Sequence, residues 1–288
     1  MKTNVCRMVW GVCFFVATSA MGNETFRLWP DKAPGETVAA PSRDNQGKGG
    51  VLRLIEVTTP EVTICPPPEK KSDICVLLFP GGGYMNNNQS HQQRFVPFFH
   101  ERGITVAYLN YRVPRRPGQK IWKAPFQDAQ RAIRIVRSQA AKYGFDPEKI
   151  GTMGFSAGGH LSILCATNSQ TNAYDAIDSL DQVPCHLNFA IAIYPAYILE
   201  DGAESSNTQK GNDSALLDDF HFDSRTPPMI LVHGDADIYS PMGSVAIYAQ
   251  LHQRNIPAEI HIYAKSGHGL GSQPWQQCVY EWMKVTLP

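Results

Sequence analysis

Beyond its first twenty residues the sequence has no apolar run long enough to cross a bilayer, and it has no excess of either charge. Its 26 Lys and Arg balance 26 Asp and Glu over 288 residues. The first absence argues against a membrane span in the mature protein. The second removes the basic footprint of a nucleic-acid-binding protein. Arg115 and Arg116 lie in a Pro-rich turn and are expected to form a solvated loop. No internal repeat and no interdomain linker divides the chain. None of its 7 cysteines pairs with another at metal-ligand spacing, so no metal site is expected. Gly81-Gly82-Gly83 is not followed by Lys-Ser or Lys-Thr, which argues against a phosphate-binding loop.

What is present begins with an export signal. Lys2 and Arg7 precede an apolar stretch from Met8 to Ala17, and small residues offer cleavage after Ala20 or Gly22. Residues 1–22 are read as a signal peptide and the mature protein as secreted or periplasmic. Five cysteines then remain: Cys65, Cys75, Cys165, Cys185 and Cys278. Their odd count and irregular spacing favour buried thiols over a disulfide framework. Residues 23–50 are polar and read as a lead-in segment outside the core. Residues 51–288 read as one catalytic domain.

From Val51 onward, strands and helices alternate. Ile74–Phe79 is a continuous apolar run, as a central strand requires. Residues 125–143 are the clearest helix, with Phe126, Ala129, Ile133, Val136 and Ala140 on one stripe. Arg131, Arg134 and Arg137 fall off that stripe and are expected on a solvated face. The pattern predicts a mostly parallel sheet of about eight strands, covered by helices on both faces, with paired N-terminal strands at one edge. The polar excursion at 203–224 is expected to be a lid or surface loop.

The chemistry centres on Gly154-Phe155-Ser156-Ala157-Gly158, which follows a strand and opens a small-residue helix. This is the context of a nucleophile elbow, a sharp turn that lifts a serine hydroxyl above the sheet. A serine needs a base, the base an orienting carboxylate, and the developing oxyanion backbone N–H donors. His268, in a Gly-flanked loop after the last strand, is the expected base. His160 is too close along the helix to approach Ser156 in line, and His233 reads as a satisfied core histidine. Asp235 and Asp237 compete for the orienting role, and Asp237, further out on the loop, is favoured. Gly82 and Gly83, after the central strand, and Ala157, after the serine, are the expected oxyanion donors. Tyr84 and the following Asn86-Asn87-Asn88 are candidate substrate contacts, weighed evenly against ordinary loop residues. Tyr111-Arg112 is expected to support a neighbouring loop.

On the stretches 79–84, 110–114, 124–134, 151–161, 232–241 and 267–269, the chain resembles the α/β-hydrolases. It is most similar to the acetylxylan-esterase-like branch, with the bifunctional feruloyl and acetylxylan esterase domain, and it shares features with hormone-sensitive-lipase-like esterases. The resemblance implies an α/β-hydrolase fold without a cofactor. It implies cleavage of carboxylic esters, acetyl esters of carbohydrates such as acetylated xylan above all, with Ser156 as nucleophile, His268 as base and Asp237 as orienter. Pro80 stands where lipases open their glycine motif with histidine, and Tyr239 where a small aliphatic residue is usual. A peptidase or acylaminoacyl hydrolase would use the same triad, and a general small-ester carboxylesterase or lipase is a further alternative. A non-catalytic carbohydrate-binding protein is the remote one.

Overall fold

The computed structural model describes residues 22–47, 50–200 and 215–287. The proposed signal peptide lies almost wholly outside these residues, and the stretch 203–214 of the polar excursion lies outside them too. Among the described residues no helix is long and apolar enough to cross a membrane.

An eight-stranded sheet organises the chain in the order β1-β4-β7-β5-β8-β9-β10-β11. Its strands are β1 (Glu24–Arg27), β4 (Glu61–Cys65), β5 (Cys75–Phe79), β7 (Thr105–Asn110), β8 (Ile150–Phe155), β9 (Phe189–Ile193), β10 (Met229–Gly234) and β11 (Ala258–Tyr263). β1, β4 and β7 pair antiparallel, and the run from β7 to β11 is parallel. β5, β8, β9 and β10 are buried along their whole length. Helices on both faces make this necessary, and it explains why the strands read as unbroken apolar runs.

Among the described residues six α-helices cover the sheet. On one face α2 (Lys123–Ser138), the short α3 (Ala140–Tyr143), α4 (Ala157–Thr167) and α5 (Met242–Gln253) contribute Ile133, Val136, Ala140, Leu161, Leu164, Ile247 and Leu251 to the core. On the other, α1 (Ser90–His100) and α6 (Trp275–Thr286) contribute Phe95, Phe99, Val279 and Trp282. The expected α/β-hydrolase architecture is therefore the observed one.

Four expectations are corrected. The lead-in 23–50 is part of the body of the fold: β1 is an edge strand of the main sheet, and Leu28 and Trp29 are buried. A second, three-stranded sheet joins β2 (Arg43–Gln46), β3 (Leu52–Glu56) and β6 (Asn87–Asn88), so β3 is not paired beside β4 at the main sheet's edge.

Arg131, Arg134 and Arg137 are buried, because the connection 169–188 folds over their helix face. Arg131 donates to Asp178, Asp181 and the Leu28 carbonyl, and Arg134 to the Val183 carbonyl. Arg137 donates to the carbonyls of Pro147, Pro184 and His186.

Arg115 and Arg116 are likewise tied down. Arg115 donates to the Gly83 carbonyl and the Tyr197 hydroxyl, and Arg116 to Glu36 and the Val57 carbonyl. Cys65, Cys75, Cys165 and Cys185 are buried free thiols, and Cys278 is a free, half-buried one.

Candidate active site

β8 delivers Ser156 at the C-terminal edge of the parallel strands, where open α/β sheets place their ligand sites. The serine adopts φ 55°, ψ −118°, a sparsely populated backbone state for a residue with a side chain. Two glycines make the turn sterically feasible. A Cβ on Gly154 would come within 1.9 Å of the Gly158 carbonyl oxygen, and one on Gly158 within 2.2 Å of the Phe79 oxygen. The turn is held by its backbone: the Ser156 N–H donates to Ile193, and the Ser156 carbonyl accepts from His160 and Ala196.

Across 112 residues of sequence, His268 Nε2 lies 2.9 Å from Ser156 Oγ. Its Nδ1 lies 3.0 and 2.9 Å from the two carboxylate oxygens of Asp237. A carboxylate only accepts, so Nδ1 carries the proton and Nε2 is left to accept from the serine hydroxyl. The imidazole sits between the rings of Tyr194 and Tyr239, at centroid distances of 4.8 and 5.2 Å.

Asp237 is fully buried, whereas Asp235 is exposed. Burial pushes the Asp237 carboxyl up. The imidazoles of His233 and His268 and the Tyr239 amide outweigh it and bring its pKa down to about 2. His233 is thus more than a satisfied core residue. Its Nδ1 bonds Ser244 Oγ at 2.8 Å, and its Nε2 lies 3.4 Å from Asp237 Oδ2.

The glycine loop after β5 is pinned at almost every residue. Tyr111 donates to the Pro80 carbonyl at 2.6 Å, as the expected loop support. The Gly81 amide donates to His91 Nδ1, Asn88 and Met85 donate to the Gly81 and Gly82 carbonyls, and Arg115 donates to the Gly83 carbonyl. The amides of Gly82 and Gly83 have no acceptor among the described residues. The Ala157 amide opens α4, where no helical carbonyl precedes it to accept.

Tyr84 is corrected as a substrate contact. It is fully buried, its hydroxyl lies 2.8 Å from His160 Nδ1, and its ring packs against Tyr111 and Tyr197. Its φ of 59° turns the side chain into the core beneath the loop. His160 is buried with it, and burial lowers its pKa to about 4. The described end of the polar excursion, 215–224, packs Phe220 on His160 and does not line the pocket over Ser156.

Sequence reasoning missed His91 and Tyr194. The His91 ring stacks on Phe155 at 4.2 Å, and accepting from Gly81 leaves its Nε2–H to face the Tyr194 hydroxyl at 3.4 Å. Burial lowers its pKa to about 4, so it stays a neutral acceptor under the glycine loop. A lone histidine in a run of Asn and Gln carries no such signal. Tyr194 directly follows β9, and that position alone marked it as near the strand tips.

Over the serine lies an open pocket of about 1070 Å³, walled on one side by the three-stranded sheet. Among the described residues no group of three or more His, Cys, Asp or Glu is arranged to hold a metal ion.

Comparison with known proteins fits this geometry. An acetylxylan esterase of Xylanibacter ruminicola is 25% identical over 227 residues, 74% of this chain and 44% of that protein. Endo-1,4-beta-xylanase B of Butyrivibrio fibrisolvens is 26% identical over 207 residues, 68% of this chain and 32% of that protein. The chain thus spans less than half the length of either relative. The crystal structure of an acetyl ester-xyloside bifunctional hydrolase from Caldicellulosiruptor lactoaceticus superposes with a TM-score of 0.69 at 26% identity, covering 91% of this chain and 96% of that one. The BD-FAE family profile matches residues 63–222, from β4 through the elbow to the segment beyond β9, and the chain belongs to that family of α/β-hydrolases.

Proposed function

We propose that the protein is a serine esterase that removes acyl groups, acetyl first among them, from carbohydrate esters. The observation that carries this reading is the alignment of Ser156 Oγ, His268 and Asp237 beside two glycine amides without acceptors. Ser156 attacks the ester carbonyl while His268 Nε2 takes its proton. The oxyanion that forms is met by the amides of Gly82, Gly83 and Ala157. His268 returns the proton to the leaving alcohol, and water, deprotonated by the same imidazole, releases the acid. Asp237 remains ionised and holds the imidazolium in place. The relatives named for acetylxylan and acetyl ester hydrolysis support acetyl as the acyl group and a saccharide as the alcohol.

Residues 51–288 form the catalytic domain in this reading, with 23–50 contributing one pocket wall. Residues 1–22 direct export. The basic start and short apolar run support that assignment. The test is a fluorophosphonate that labels serine hydrolases, followed by peptide mapping, alongside deacetylation of acetylated xylo-oligosaccharides. Labelling at Ser156 with acetate release is the expected result. An unlabelled Ser156 would remove the esterase assignment.

A further inference from the structure

The chain has no net formal charge, yet the pocket over Ser156 is positive. Arg53 on β3 and Arg94 on α1 line it, and no Asp or Glu does so among the described residues. Neither guanidinium has a carboxylate or carbonyl partner among the described residues; Arg94 only lies 5.6 Å from the Phe95 ring centre. Covered arginines elsewhere are fully engaged: Arg112, Arg131, Arg134 and Arg137 each bond carbonyls or carboxylates. Among the described residues, the two guanidiniums of this pocket are thus left open to a ligand.

The placement of Arg53 is set by register. It stands opposite Asn45 on β2 and opposite Asn88 on β6, so the three side chains form one row across the small sheet. All three line the pocket, and Gln93 joins them from α1. The wall thus presents neutral amides around a cation. The charge of Arg94 also reaches two side chains beside the triad, His91 and Tyr194. It adds to the downward push of burial on His91 and opposes the upward push of burial on the Tyr194 phenol.

A neutral acetylated sugar offers two guanidiniums hydroxyl and carbonyl acceptors but no negative charge to balance theirs. An anionic group suits them better, because guanidiniums bond carboxylate and sulfate oxygens with charge assistance and a one-signed cleft concentrates ions of opposite charge. We propose that the ester cleaved at Ser156 is carried by an anionic saccharide. Arg53 and Arg94 hold its carboxylate or sulfate, and the amides of Asn45, Asn88 and Gln93 take ring hydroxyls. The proposal rests on the esterase reading and names its substrate class.

Binding separates the two ideas. Calorimetry on Ser156→Ala protein would compare a uronate trisaccharide, a sulfated trisaccharide and a neutral trisaccharide, all without esters. The expected result is at least ~10-fold tighter binding of an anionic sugar at low salt, narrowing in about 0.5 M salt. Whichever anionic sugar binds more tightly identifies the group. Adding Arg53→Gln and Arg94→Gln should abolish the preference. Arg94 is exposed on α1, so Arg94→Gln alone should keep the fold and still reduce the preference. Equal affinity for all three sugars, or a preference that survives the double substitution, would overturn the proposal. Failure of the unmodified protein to hydrolyse p-nitrophenyl acetate, with the anion preference intact, would overturn the esterase reading and support the anion site.

Discussion

His233 Nε2 lies 3.4 Å from Asp237 Oδ2, so the carboxylate that meets His268 Nδ1 at 2.9 Å also has a second imidazole beside it. The chain of contacts runs from Ser244 through His233, Asp237 and His268 to Ser156. Its ends are anchored on elements of the fold, Ser244 on α5 and Ser156 at the tip of β8, and His233 within it lies on β10. His233→Gln keeps a polar group in the space but breaks the ring-to-carboxylate alignment. Its expected effect is a fall in kcat of about 10-fold with KM little changed, because it acts on the orientation of His268 and not on substrate. Steady-state kinetics on p-nitrophenyl acetate reads this split. A rise in KM at constant kcat would place His233 in substrate binding instead.

The two aspartates of the same loop separate cleanly in burial. Asp237 is enclosed and bonded to His268, whereas Asp235 is exposed. Asp237→Asn should lower kcat by about 10,000-fold, since an amide favours the wrong imidazole tautomer. Asp235→Asn should stay within about 3-fold, as exposed substitutions usually do. The ranking of the two in one esterase assay checks the assignment, and the reverse order would move the orienting role to Asp235.

Acid should weaken the fold through two histidines, His160 buried and His91 half-buried. His91 and His160 have pKa values lowered from 6.5 to about 4, with burial as the leading cause in both. The groups around His91 are Tyr194, His268 and Arg94, and those around His160 are Tyr84, Tyr197 and Asp219. Below pH 6.5 the unfolded chain binds protons that the folded protein refuses. Stability is therefore full above 6.5 and falls as pH drops toward 4. The loss is on the order of 3 kcal/mol per histidine. Urea unfolding at pH 7, 5.5 and 4.5 measures the slope, and His160→Gln should make it shallower. An unchanged slope would show that His160 takes up its proton as readily in the fold as in the unfolded chain.

The ion pair between Arg112 and Asp128 is wholly buried, at 2.9 Å, and Arg112 also bonds the carbonyls of Pro34 and Ala124. Burial pushes the Asp128 carboxyl up, against the pull of Arg112, so the acid depends on its partner to stay charged. Arg112→Met should cost about 3–5 kcal/mol, because it strands a buried carboxylate and frees two carbonyls. That corresponds to a melting temperature lower by about 10 °C. A change of less than about 1 kcal/mol would mean that the pair is neutral to stability.

Much of this geometry is local in sequence. The Ser156 turn needs Gly154 and Gly158 within two residues on either side, and β5 and β8 read as strands because both of their faces are covered. What stayed hidden depends on distant chain. The helix carrying Arg131, Arg134 and Arg137 has an apolar stripe that gives no hint of the 169–188 connection lying over its other face. Tyr84 follows glycines in a loop, and only its positive φ sends the ring inward. The wall formed by Asn45, Arg53 and Asn88 requires three short strands to pair, and two of them have no apolar pattern at all.

The central claim is that Ser156 is the nucleophile, and the hydrolysis of p-nitrophenyl acetate by Ser156→Ala tests it most directly. Ser156 is 8% exposed and its side chain adds little to the core, so the variant should unfold within about 2 °C of the unmodified protein. Its kcat/KM should fall by about 10,000-fold or more. A folded Ser156→Ala protein that retains kcat/KM within about 10-fold of the original would contradict the account.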